Sequence, residues 1–222
     1  MLLSKVRLNY TKMHRLVSKE IEQYCEAHST KENELLYDLH RQTYLKTDLP
    51  IMLSGHLQGN FFQFLSLMIK PKNILEIGTF TGYATLCLEK GLAENGKIIS
   101  LELEKTLENF HEKYLSSKKN IEVIYGNALD SLSKLNDCFD LIFLDADKTN
   151  YENYYDMIFE KWNKGGFMIV DNVLYNSEIL DVAKASKNGK AIDKFNKKIE
   201  QDTRVENVLL PFRDGIMLIY KK

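Results

Sequence analysis

Cysteine and proline are scarce in this chain, and each scarcity excludes something. The three cysteines, Cys25, Cys87 and Cys138, are odd in number and widely spaced. They supply neither a disulfide framework nor a CxxC metal pair, which points to a reducing, cytoplasmic setting. The three prolines, Pro50, Pro71 and Pro211, all fall outside the helices and central strands inferred below. No apolar run reaches the ~18 residues of a membrane span, and the opening MLLSKVRLNYTKMHRL is broken by charges too early for a secretory leader. Charge of one sign is also missing. Thirty basic residues against 31 acidic ones give a net charge of −1, which excludes a strongly basic global footprint while leaving a local patch open. The five histidines, His14, His28, His40, His56 and His111, show no ligand spacing and read as structural or surface residues. There is no internal repeat.

What is present is a chain of 222 residues, ample for the core of one domain. Residues from about Tyr10 to His28 carry Met13, Leu16, Val17, Ile21, Tyr24 and Cys25 at helical spacing. Asn33 then offers a helix start ahead of Leu35, Leu36 and Leu39. TDLPIMLSG reads as a loop, and GNFFQFLSLMI, from residue 59, as a helix. From residue 73 the texture changes to short aliphatic runs alternating with helical segments. NILEI, KIISLE, IEVIY, DLIFLD and FMIVD, the last beginning at Phe167, read as strands. This alternation belongs to a parallel sheet with helices on both faces. VENVLLPF and IMLIYKK, joined by a short Asp-Gly turn, add an antiparallel hairpin. The expected organisation is a helical cap over residues 1–70 and an α/β core over 71–222, within a single domain.

The strand ends carry the chemistry. ILEIGTFTGYATL is a strand, a glycine turn and a helix, in which Gly78 and Gly82 permit a tight turn and close approach to a ligand. It is not the dinucleotide fingerprint, because Phe80 stands where the second glycine belongs. Glu76 before the turn would repel a diphosphate and suits an amino-bearing ligand. Glu102 ends the second strand, where an acidic side chain accepts hydrogen bonds from ribose hydroxyls. The third strand ends in GNAL, with Gly126 leaving room for a flat base. An acidic turn with a ribose-binding carboxylate suggests S-adenosylmethionine.

EIGTFTGY, DADKTNYENYY and the later DNVLY resemble the cation-dependent O-methyltransferases, the caffeoyl-CoA and catechol O-methyltransferase group of class I methyltransferases. The resemblance extends to MLSGHLQG before the first strand and to FNKKIEQDTRVENVLLPFRDGIML at the end. It implies a Rossmann-like, mostly parallel seven-stranded sheet closed by the antiparallel hairpin, and a homodimer. It implies donor contacts from Met52, Ser54, Glu76, Gly78, Thr79, Gly82, Tyr83, Ala84, Glu102, Ala128, Asp145 and Asp147. Ala84 replaces a common serine.

Asp145 ends the fourth strand, and Asp171 and Asn172 end the fifth. Two carboxylates and an amide carbonyl are hard ligands suited to Mg²⁺, with Mn²⁺ or Ca²⁺ as alternatives, and no Cys or His accompanies them for zinc. In the family the matching residues hold the divalent ion. Lys148 matches a lysine that resembles the catechol enzyme's proton acceptor, and the metal's charge is expected to lower its pKa. Tyr175, where many members have tryptophan, and Asn176 match substrate-side positions. The expected reaction is methyl transfer to a hydroxyl of a small catechol-like phenol. The alternative acceptor is 5-hydroxyuridine in tRNA, which Lys184, Lys187, Lys190, Lys194, Lys197 and Lys198 could reach through phosphates.

Overall fold

The computed structural model describes residues 17–222. The first described helix, α1 (Lys19–Ala27), begins where the Ser18 side chain accepts from the Ile21 N–H. The expected start near Tyr10, with Met13 and Leu16, lies outside the described residues. Helix α2 (Glu34–Lys46) is capped as the sequence suggests, Asn33 Oδ1 accepting from Leu36 N at 2.9 Å. It buries Leu36, Leu39 and Thr43. Pro50 opens a single 3-10 turn over Pro50–Met52. Helix α3 then runs Gly55–Ile69, starting earlier than residue 59, because nothing between Gly55 and Gln58 stops a helix. The earlier start adds a turn that carries Gln58.

The sheet comprises β1 (Asn73–Ile77), β2 (Lys97–Glu102), β3 (Ile121–Tyr125), β4 (Phe139–Leu144), β5 (Trp162–Asp171), β6 (Val205–Leu210) and β7 (Ile216–Lys221). Its order is β3-β2-β1-β4-β5-β7-β6. The first five strands are parallel, and β7 runs antiparallel between β5 and β6. Strand β5 begins at Trp162 rather than Phe167. Phe139 pairs with Trp162 and Leu141 with Phe167, so the intervening segment bulges, and Gly165 at φ 81° accommodates it. The hairpin connection is longer than an Asp-Gly turn: it spans Pro211 to Gly215. Pro211 has no N–H to extend the ladder, and Arg213 and Gly215 both take left-handed backbone.

Helices α4 (Tyr83–Glu89), α5 (Glu108–Tyr114), α6 (Ala128–Lys134), α7 (Tyr151–Phe159) and α8 (Lys187–Gln201) cover the sheet. Alternate strand residues feed two cores. Leu75, Ile77, Ile142 and Leu144 pack with Tyr151, Tyr155, Trp162 and Phe195. Ile74, Leu141 and Phe143 pack with Leu39, Phe62 and Leu86. Each fully buried aliphatic or aromatic side chain is worth about 1.5–3 kcal/mol, which fixes the register of every strand. The chain leaves β1 for β2 and β3, then returns to β4 on the other side. The crevice outside the carboxyl ends of β1 and β4 is therefore the switch point where α/β sheets bind ligands.

Candidate active site

The turn after β1 and the chain after β4 meet at this switch point. Gly78 N donates to Leu101 O and Asp145 N to Ile77 O, so both backbones stay in the sheet's register as they leave it. A methyl at Gly78 would collide with the Asp145 carbonyl, and its φ of 102° suits glycine alone. Gly82, at φ 91°, similarly lets the chain turn into α4 against Leu115.

Glu76 lies fully buried behind this turn. Its Oε2 accepts from Thr85 and Ser100, both at 2.5 Å, and its Oε1 has no partner. Burial pushes its pKa up to about 8, more than the two hydroxyls lower it. Glu102, 7% exposed, is fixed differently. Oε2 accepts from Phe80 N at 2.7 Å and Oε1 from Glu104 N at 2.8 Å. Burial raises its pKa despite these bonds. Leu103 beside it is 67% exposed, an apolar surface at the mouth of the crevice that sequence reasoning did not single out.

The acidic pair follows from register. Leu144 pairs with Val170, and Asp145 and Asp171 are the next residues of adjoining strands about 4.8 Å apart. Asp171 is 4% exposed. Its Oδ2 accepts from Gln58 Nε2 at 2.6 Å and its Oδ1 from Asn172 N at 2.7 Å. Burial first, then the Asp145 charge, raises its pKa. Asn172 sits in left-handed backbone at φ 59°, a conformation asparagine tolerates. Among the described residues no three His, Cys, Asp or Glu side chains gather as a metal cluster; the expected ligand set contains two acids and an amide.

Lys148 closes the site from a 3-10 turn, Lys148–Asn150, that leads into α7. Its Nζ donates to Asp145 Oδ1 at 2.6 Å and to Tyr151 Oη at 2.7 Å, and the Tyr151 hydroxyl donates to Asp171 O at 3.1 Å. Burial works to lower the Lys148 pKa, but Asp145 and Tyr151 outweigh it and the pKa is raised. The protein's own groups thus act opposite to the lowering expected from sequence, because the nearest contact is a carboxylate.

Other expected residues are more dispersed. Met52 is 55% exposed. The Ser54 carbonyl accepts from Arg213 Nη1, which also donates to Gln58 Oε1 at 2.6 Å. Thr79 Oγ1 is paired with Ser100 Oγ at 2.6 Å. Tyr83 is buried, its hydroxyl donating to Glu32 Oε1 at 2.6 Å, so it serves the contact with the N-terminal helices. Ala84 is buried in the same helix. Ala128 opens α6, which Asn127 caps through Leu129 N. Both Asp147 oxygens are engaged, by Tyr154 Oη at 2.5 Å and Asn150 Nδ2 at 2.6 Å. Tyr175, Asn176 and Ser177 form a run of left-handed residues, held by Asn188 Nδ2 donating to Tyr175 Oη and by Asn176 N donating to Asp214 Oδ1. Lys184, Lys194, Lys197 and Lys198, four of the six lysines considered for phosphate contact, each face a carboxylate within 2.8 Å, which takes up most of that positive charge. Gln58, Arg213 and Tyr151 were missed in the sequence. The first two lie within the quoted stretches MLSGHLQG and FNKKIEQDTRVENVLLPFRDGIML, but nothing in those stretches shows that they pair; the one-turn spacing of Tyr151 from Lys148 could have revealed the third.

The chain matches the family of O-methyltransferases over residues 26–222. It is 31% identical to a probable caffeoyl-CoA O-methyltransferase 2 of Dictyostelium discoideum, over 89% of this chain and 90% of that protein. It is 31% identical to a catechol O-methyltransferase of Niastella koreensis, over 73% and 76%. The structure of the Bacillus cereus O-methyltransferase in complex with S-adenosylhomocysteine superposes with a TM-score of 0.84 at 28% identity, over 91% of this chain and 97% of that one. On this match, over nearly the whole described chain, the protein belongs to the O-methyltransferase family.

Proposed function

We propose that the chain transfers a methyl group from S-adenosylmethionine to a phenolic hydroxyl of a small vicinal-dihydroxy acceptor, with a divalent cation held by Asp145, Asp171 and Asn172. The observation that carries the reading is the convergence of Asp145, Asp171 and Lys148 at the end of β4 and β5, beside the glycine turn of β1. The residues fit both groups. On the donor side, Glu76 Oε1 lacks a partner and Glu102 is pinned at the crevice. On the acidic side, two adjacent carboxylates, one with a raised pKa, call for a cation, and their oxygens are hard donors.

Glu102 accepts ribose hydroxyls, Glu76 an amino N–H, and the exposed Leu103 lies against the base. A bound divalent ion would stabilise the acceptor oxyanion as a Lewis acid. Lys148 takes the phenolic proton at Nζ, for which it must be neutral. Its ion pair with Asp145 opposes that. When Asp145 is engaged elsewhere, burial favours the free amine. The bond from oxygen to the methyl carbon then forms as the sulfur–carbon bond breaks, and the proton stays on Lys148. Tyr175 and Asn176 border the acceptor. The free cysteines accord with a reducing cytoplasm, and no described helix is long and apolar enough to cross a membrane. The exposed Tyr37, Tyr44, Leu45, Phe64 and Met68 on α2 and α3 give a homodimer its apolar contact.

Turnover of a catechol and its mono-hydroxy analogue, with and without EDTA, tests the reading. The catechol should react about 10²-fold faster or more, by analogy with sites that reject ligands leaving a polar group unpaired. Chelation should abolish the reaction. Comparable rates for the two phenols, or full activity in excess chelator, would sink it.

A further inference from the structure

A second buried polar relay lies behind the donor turn, and no step above uses it. Phe80 stands between Gly78 and Gly82 with φ at 50°, a left-handed conformation unfavourable for so bulky a residue. Such backbone persists only where its surroundings over-determine it. Here both polar groups of the residue are held. The Phe80 N–H donates to Glu102 Oε2 at 2.7 Å, and the Phe80 carbonyl lies 2.7 Å from His111 Nε2. A carbonyl can only accept, so Nε2 carries the hydrogen and Nδ1 is the acceptor nitrogen. Tyr125 Oη, 2.7 Å from Nδ1, donates to it. His111 is 4% exposed, and burial lowers its pKa, in keeping with a neutral ring. Glu102 and Tyr125 are register partners at the ends of β2 and β3. The turn, α5 and two strand ends are thereby tied into one unit around the Phe80 backbone.

We propose that His111, with its tautomer set by Tyr125, is a positioning residue for the methyl donor: it pins the Phe80 backbone from its carbonyl side and through it the Glu102 carboxylate on its N–H side. The proposal rests on the reading of Glu102 as the ribose acceptor. Without the imidazole the Phe80 carbonyl loses its partner, and an orphaned buried acceptor is costly. The Phe80–Thr81 peptide is then released to rotate, the strained Phe80 backbone relaxes with it, and the Phe80 N–H, on the preceding peptide, is no longer held against Glu102 Oε2. A residue that merely filled space beside the turn would have no need of a fixed tautomer.

Calorimetric titration with S-adenosylhomocysteine tests this on wild type, Glu102→Ala, His111→Ala, His111→Gln and Tyr125→Phe. In His111→Ala the donor Kd should rise about tenfold, the scale of one lost hydrogen bond. His111→Gln, whose amide can still donate to the Phe80 carbonyl, should recover to within about threefold. Tyr125→Phe should lie between wild type and His111→Ala, with the KM of the phenolic acceptor unchanged in all three. Equal losses in the alanine and glutamine variants, or a His111→Ala Kd within about twofold of wild type, overturn the proposal. If His111→Ala does not fold, Tyr125→Phe decides, since it removes one hydroxyl only; unchanged donor affinity there overturns it. Unchanged affinity in Glu102→Ala defeats the donor-site reading itself. Weakening in Glu102→Ala with none at His111 or Tyr125 defeats only the positioning role.

Discussion

Gln58 donates through Nε2 to Asp171 Oδ2 at 2.6 Å, and Arg213 donates to its Oε1 at the same distance. One amide thus joins α3, the end of β5 and the loop between β6 and β7. Gln58 is 1% exposed, so neither contact is replaced by water when it is cut. Gln58→Leu, close in volume, should lower unfolding free energy by about 1–3 kcal/mol, the cost of leaving a buried charged acceptor short of a donor. Chemical denaturation measures it. Stability unchanged within about 0.5 kcal/mol would show that Asp171 does not depend on this amide.

Glu76 should make stability fall as pH rises. Its folded pKa, about 8, lies above the carboxylate's ordinary value of 4.5. Between those limits the native state holds a proton that the unfolded chain releases. The contribution is complete below about pH 4.5 and is lost as pH climbs toward 8, at up to about 1.4 kcal/mol per pH unit. Glu76→Gln has no such proton. The stability of wild type relative to this variant should therefore decline from pH 5 to 8, followed by urea unfolding at each pH. Parallel curves for the two proteins would mean that Glu76 is ionised in the native state.

The fold was largely legible because its signals are local. Aliphatic runs at β1 to β5 and the Asn33 cap each act within a few residues. The acids at 145 and 171 were legible because strand ends bring neighbours together by register alone. What stayed hidden depends on long-range contacts. Gln58 and Arg213 meet across 155 positions, and the stretches that hold them, MLSGHLQG and FNKKIEQDTRVENVLLPFRDGIML, give no local sign of the pairing. Tyr83 follows a glycine turn that reads as donor-binding, yet its hydroxyl turns to Glu32, 51 positions away. The antiparallel hairpin was legible, but its connection reads too short because Asp214-Gly215 mimics a two-residue turn, whereas Pro211 ends β6 before it.

Lys148 separates binding from chemistry. Its amine touches Asp145 and Tyr151, while the donor contacts proposed for Glu76 and Glu102 lie on β1 and β2. Lys148→Met should lower kcat by about 10²–10⁴-fold, the usual contribution of a positioned general base. Donor affinity by calorimetry should stay near wild type. A variant retaining more than about a third of kcat would remove Lys148 from the proton transfer.

Gly78 is where the turn after β1 lies against the chain leaving β4. Any Cβ there meets the Asp145 carbonyl, which is backbone and cannot swing aside as a flexible side chain could. The φ of 102° adds strain for any residue but glycine. Gly78→Ala must therefore either push β1 and β4 apart at their ends or flatten the turn. The first displaces Asp145, and the second displaces Phe80 and Glu102. Both routes cost stability, on the order of 1–3 kcal/mol for strained backbone, and both should damage donor binding and turnover together. Gly165→Ala, in the β5 bulge, is the control. It also has positive φ, at 81°, but an added methyl there meets nothing within 4 Å, so only the backbone cost applies. Thermal melting with calorimetry on both variants distinguishes the cases. If Gly78→Ala bound donor as well as Gly165→Ala did, contact between the two strand ends would not be what shapes the site.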